Sequence, residues 1–135
     1  MKFKDDVTKD RFHDMHPKAQ EIALDLDAWS IKTHGQELTL TATVSTVEED
    51  KELGRESDTH RTRRAWDVRI KDLTETHIAE LCAYARKKYG KFGALVKGVP
   101  NLIVYKPHGT GPHLHIQLSR MYSLPLLTYK GESNG

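Results

Sequence analysis

The chain has 135 residues, the size of one ordinary domain with a core of its own. Its 37% hydrophobic and 30% charged residues suit a soluble globular protein, and a net charge of +2 is too small to argue for a nucleic-acid partner. Cys82 is the only cysteine, which excludes an intrachain disulfide, and no apolar run is long enough to span a membrane.

Residues 1–15 are charged and read as a loose lead-in to one domain over residues 16–125, with 126–135 as a tail. Pro17 suits the first turn of a helix. Ala19, Ile22, Ala23, Leu26 and Trp29 then recur at three and four, giving one buried face before His34-Gly35 ends it. Leu38, Leu40, Ala42 and Val44 alternate with Thr and Ser, as in a strand. Residues 47–59 are polar, carry Gly54, and read as a loop over a site. Ala65–Ile70 predicts a second strand, with Ala65, Asp67 and Arg69 on one face and Trp66, Val68 and Ile70 on the other. A helix is expected from about Thr74 to Tyr89, stopped by Gly90. Leu102–Tyr105 and Leu114–Leu118 complete a small antiparallel sheet. The fold class is therefore α+β, a small sheet with flanking helices.

Two features carry chemistry. His60 precedes Asp67 by seven residues, and His113-Leu114-His115 follows a turn rich in Gly and Pro. Imidazole and carboxylate are what a catalytic zinc accepts when three protein ligands leave its fourth position to water. Residues two apart on a strand face the same way, so His113 and His115 share a side. Short patterns of this kind also arise by chance. The alternative is that Asp67 pairs with a nearby Arg and the histidines are ordinary polar surface. Cys82, on the apolar face with Ile78, Leu81 and Ala85, reads as a buried structural thiol. No Asp or Glu occurs between Glu80 and Glu132, while Arg86, Lys87, Lys88, Lys91, Lys97, Lys106 and Arg120 do. That half suits an anionic substrate, or is simply a solvated basic face.

The segment Asp58–Asp67 resembles the S-x-H-x-x-G-x-A-x-D signature of the D-alanyl-D-alanine carboxypeptidase and L-alanyl-D-glutamate endopeptidase family, with His60, Ala65 and Asp67 in register. His113-Leu114-His115 looks like that family's terminal HxH. The resemblance covers roughly residues 36–120 and implies the fold shared with hedgehog signalling domains. It further implies one zinc ion on His60, Asp67 and His115, and hydrolysis of peptide bonds in bacterial cell-wall stem peptides. Many members are phage or prophage lysis enzymes made without a signal peptide. The N-terminal segment here has no apolar core of signal-peptide length. The expectation is a monomer made in the cytoplasm that acts on the cell wall after release, with no membrane or nucleic-acid partner.

The chain departs from the family at three places. Pro112 stands where many members carry the carboxylate general base, so His113, assisted by His108, is expected to take that role. Arg63 replaces the family glycine, and the loop is expected to avoid a conformation that only glycine adopts cheaply. Ser57 stands next to Asp58, which replaces the family serine, and no Arg ends the first strand. Arg61, Arg63 or Arg64, with Ser57, are the expected substrate-binding groups instead. A zinc-holding module without catalysis, and a nucleic-acid contact through Arg86–Lys97, are the competing readings.

Overall fold

The computed structural model describes residues 1–108 and 111–129. It is a mixed α+β domain in which a small sheet carries helices against its apolar face. In chain order the elements are β1 (Lys2–Phe3), α1 (Asp6–Phe12), α2 (Pro17–His34), β2 (Thr39–Ala42), α3 (Val47–Glu52), β3 (Ala65–Arg69), α4 (Glu75–Tyr89), β4 (Ala94–Val96), β5 (Val99–Asn101), β6 (Ile103–Lys106) and β7 (His113–Gln117). The main sheet has the order β1-β2-β3-β7-β6, and β4 and β5 form a separate hairpin.

Local chemistry explains the principal elements. In α2, Pro17 occupies the first turn, where its missing N–H costs nothing, and Gly35 closes the helix at φ 67°. Ala19, Ile22, Ala23 and Leu26 of α2 and Leu81 and Ala85 of α4 are buried. They join one core with Trp66 and Val68 of β3 and Leu114 and Ile116 of β7. Because side chains alternate along a strand, burying those residues turns Asp67, His115 and Gln117 to the opposite face. The core and the candidate site are two sides of the same two strands.

Several expectations are corrected. Residues 1–15 are not loose. Lys2 and Phe3 pair with Thr39 and Leu40 in parallel, so the sheet is not wholly antiparallel. Asp5 caps α1 by accepting from Thr8 N at 2.8 Å, while Phe12 and Met15 enter the core. Residues 47–59 are not all loop, since Thr46 and Glu49 form a reciprocal capping box that starts α3. The domain also extends past residue 125. Tyr129 packs on the core, donates to Asp14 Oδ2 at 2.9 Å, and has the Arg11 guanidinium 3.9 Å above its ring. The remainder of the expected tail, 130–135, lies outside the described residues. Gly90 caps α4 as expected, in a right-handed conformation that leads into a 3₁₀ turn over Gly90–Phe92.

Candidate metal centre

The site begins with a register. Asp67 of β3 is paired with His115 of β7, and Arg69 with His113, so Asp67, His113 and His115 lie on one face of adjacent strands. A bulge in β2 opposite Asp67, where Leu40 pairs with Val68 but Ala42 with Asp67, brings the following segment over this face. His60 reaches the same point from the turn before β3. His60, Asp67 and His115 are all buried, and one ligand atom from each lies within 4.8 Å of the others. This group can hold a metal ion.

Hydrogen bonds on the outer side of each ring decide what the inner side offers. His60 Nδ1 donates to the Thr43 carbonyl at 2.7 Å, which leaves Nε2 bare and 3.2 Å from Asp67 Oδ1. His115 is oriented through Gln117. The Gln117 amide nitrogen donates to the Asn101 carbonyl at 3.1 Å, so its Oε1 faces His115 Nε2, also at 3.1 Å. His115 Nε2–H donates there, with Thr59 Oγ1 as a second acceptor at 3.2 Å, and Nδ1 is left bare 2.9 Å from Asp67 Oδ1. Two bared nitrogens thus converge with a carboxylate oxygen in a buried place, an arrangement that a metal ion or a shared proton among them satisfies. Bonds of about 2.0–2.2 Å at tetrahedral angles put ligand atoms about 3.3 Å apart, close to these separations.

The titration of the group agrees with that reading. Burial alone would raise the Asp67 pKa, but His60 and His115 outweigh it and hold the carboxyl far below its usual range. Burial pushes His115 down, against the pull of Asp67, and the nearby His60 adds to the fall. Carboxylate and neutral imidazole are the forms that ligate metal. Asp67 has no Arg partner among the described residues; Arg69 lies 3.9 Å from Asp72 instead.

The other expected site residues are placed as follows. His113 is about a quarter exposed at the mouth of the site, with Nε2 3.7 Å from Asp67 Oδ2 and Nδ1 donating to the Gly111 carbonyl at 2.8 Å. His108 is exposed and does not line the cleft. The three arginines have structural partners. Arg61 binds Asp50 Oδ2 at 2.9 Å, and Arg64, itself buried, binds the Leu118 carbonyl, Asp58 and Thr62. Arg63 donates to the carbonyls of Asp14 at 2.6 Å and Pro125 at 3.2 Å. Contrary to expectation, Arg63 does not avoid the glycine conformation: its φ is 69°. Ser57 lines the cleft and donates to Thr59 Oγ1 at 3.2 Å.

The cleft has a volume of about 600 Å³. Beyond the three histidines and Asp67 it is lined by Lys106, which the sequence offered only as part of a basic half suited to an anionic substrate, and by residues the sequence did not single out, including Glu56, Val104 and Gln117. Glu56 is the one other described carboxylate on its wall. Lys106 pairs with His113 across β6 and β7 and has no side-chain partner among the described residues. The sequence signal for it was the stretch without Asp or Glu between Glu80 and Glu132, in which it lies. Compared with known proteins, the chain matches no family model, no curated protein and no solved structure. No helix among the described residues is long and apolar enough to cross a membrane.

Proposed function

We propose that this chain is a zinc peptidase with the hedgehog/DD-peptidase fold, acting on the stem peptides of bacterial cell wall. The observation that carries the reading is the convergence of His60 Nε2, His115 Nδ1 and Asp67 Oδ1, each imidazole bared by a hydrogen bond on its far side. Such outer partners are the usual companions of metal-bound histidine. A second observation favours the family. The position where the family signature has glycine is held here by Arg63 in the left-handed region, φ 69°, where a side chain costs roughly 1–2 kcal/mol. A left-handed residue at the place of the signature's glycine is consistent with the resemblance, because glycine adopts that conformation at least cost.

Held by His60, Asp67 and His115, a zinc ion would supply a bound water of pKa ~7 and a Lewis acid for the scissile carbonyl. The chain's own groups do the rest. His113 Nδ1 donates to the Gly111 carbonyl, so Nε2 is the nitrogen free to accept a proton, and it faces the cleft beside Asp67. We assign His113 as general base, which replaces the carboxylate that Pro112 displaces. Lys106, next to His113, supplies the positive charge that Arg61, Arg63 and Arg64 are too occupied to give.

The test pairs metal content with digestion of purified peptidoglycan. About one zinc per chain is expected, lost together with peptide release in His60→Ala and Asp67→Ala. His113→Ala should keep the metal and lose about 10²–10⁴-fold in rate. Full activity in either ligand variant would sink the assignment. The absence of a base at position 112 favours a second reading, a zinc-holding module without catalysis. Stoichiometric zinc with no turnover on any cell-wall preparation would select it, and Glu56→Gln separates a carboxylate base from His113.

A further inference from the structure

The cleft continues into a second compartment of about 430 Å³, which shares Ser57, Thr59 and Gln117 with the metal chamber. Strand β7 connects them. His115 belongs to the first, Gln117 to both, and Ser119, two residues further along the chain, to the second. At about 3.3 Å per residue the second compartment begins ~7 Å from His115 and reaches ~13 Å. Arg64 and Arg120 lie on its wall and no described carboxylate does; because Arg64 is ion-paired with Asp58, the charge left to a ligand is that of Arg120. Arg64 is buried and fixed by the Leu118 carbonyl and Asp58. Arg120 is exposed and makes no side-chain hydrogen bond or ion pair among the described residues.

The hairpin of β4 and β5 forms the facing wall, and its position is imposed by the backbone. Val96 and Val99 are joined by Lys97 and Gly98, both left-handed at φ 51° and 79°. The base of the hairpin is clamped where Gly93 bridges Leu118 and Ser119 N donates to the Phe92 carbonyl at 2.8 Å. Leu95 and Val96 remain exposed beside the compartment. The result is a guanidinium fork, a hydroxyl from Ser119, and an apolar flank.

We infer that this compartment binds a carboxylate of the substrate peptide, carried two to four residues from the bond that is cut. This rests on the peptidase reading. A guanidinium offers paired N–H donors to a carboxylate, and the Ser119 hydroxyl, which only accepts from Met121 N, can add a third. The apolar flank takes the stem of the residue that carries it. An extended peptide advances about 3.3–3.6 Å per residue, so 7–13 Å corresponds to that spacing. The carboxylate comes from the peptide C-terminus or from an acidic side chain, which the test tells apart.

The experiment compares zinc-loaded wild type with Arg120→Gln on peptides ending in a free acid or an amide, and on peptides with Glu or Gln at an internal position. In wild type, neutralising the recognised carboxylate should raise KM by about tenfold with kcat little changed. In Arg120→Gln the acid peptide should already show that loss, and neutralisation should add nothing. An equal penalty in the variant, or none in wild type on peptides that are cleaved, overturns the subsite. If no peptide is cleaved, the peptidase reading fails separately. Equilibrium binding of the same peptides to the two proteins then decides the subsite alone: tenfold weaker binding of the acid peptide to Arg120→Gln supports it, and equal binding overturns it.

Discussion

Gln117→Leu tests the metal centre without touching a ligand. Leucine fills nearly the same volume, but it removes Oε1, which accepts from His115 Nε2 at 3.1 Å. Gln117 is held in turn by its own donation to the Asn101 carbonyl, so the substitution breaks a relay from β5 to the ligand. Loss of an outer partner of a ligating histidine typically weakens metal binding 10–100-fold. Thr59 Oγ1 still stands 3.2 Å from Nε2 and retains part of the orientation. We therefore place the single variant near tenfold, and Gln117→Leu with Thr59→Val near a hundredfold. A competition titration against a chromophoric chelator reads the affinity directly. At fixed excess zinc, tenfold weaker binding removes about 1.4 kcal/mol of ligand-linked stability. For a domain of this size that lowers the zinc-bound Tm by roughly 5 °C, with a smaller change when metal is absent. Unchanged affinity in the double variant, in a protein whose His115→Ala form no longer binds zinc, would refute the assignment of Nδ1 as the bare nitrogen.

Three further outcomes follow from particular contacts. At Arg63, φ 69° reverses the usual order of small residues, so Arg63→Gly should be more stable than Arg63→Ala by about 1 kcal/mol in urea unfolding; alanine equal or better would contradict the strain. Gly93→Ala would place a Cβ 2.6 Å from Leu102 N and 2.9 Å from Asn101 C, both backbone atoms. A loss of about 2–3 kcal/mol is expected, read as a shifted midpoint with an unchanged denaturant slope. Burial pushes the Asp50 pKa up, but Ser45, Arg61 and Arg55 outweigh it and hold the carboxyl below its usual range. A depressed folded pKa stabilises at pH values above the unfolded value, ~3.9, and that contribution disappears as pH falls through the folded one. Asp50→Asn should therefore be less stable than wild type at pH 7, and the difference should close below about pH 4; a gap that persists in acid would show that the loss is steric.

The fold was legible where the sequence repeats with the period of its own element. The α2 stripe Ala19, Ile22, Ala23 and Leu26, and the alternation Trp66, Asp67, Val68 in β3, are local patterns, and both elements form as read. The α3 signal was also present, since Thr46 and Glu49 have capping-box spacing, but polar composition obscured it. The N-terminal strand had no local signal. Lys2 and Phe3 are a strand only because β2 offers them an edge, a contact across about 37 residues. The β4–β5 hairpin was marked by Lys97-Gly98 between two valines, a turn signature that the basic character of the region concealed.

The candidate site divides along the same line. His60, Asp67 and His115 were legible because chemistry fixes which residue types ligate metal and strand period fixes which way they face. Their partners were not. Thr43 contributes a backbone carbonyl, which any residue could supply, and Gln117 works only because Asn101 of another strand holds its amide. The expected substrate arginines failed for a related reason. Arg61, Arg63 and Arg64 are near His60 in sequence, but a guanidinium acts on a substrate only if the fold leaves it unengaged. These three bind Asp50, the Asp14 and Pro125 carbonyls, and the Leu118 carbonyl with Asp58. The cations without such partners on the cleft walls, Lys106 and Arg120, lie 46 and 60 residues from His60 in the chain. Charge that holds the loop together and charge left to meet a substrate are the same residue type in sequence. What separates them is a hydrogen-bond inventory, and only the folded chain supplies it.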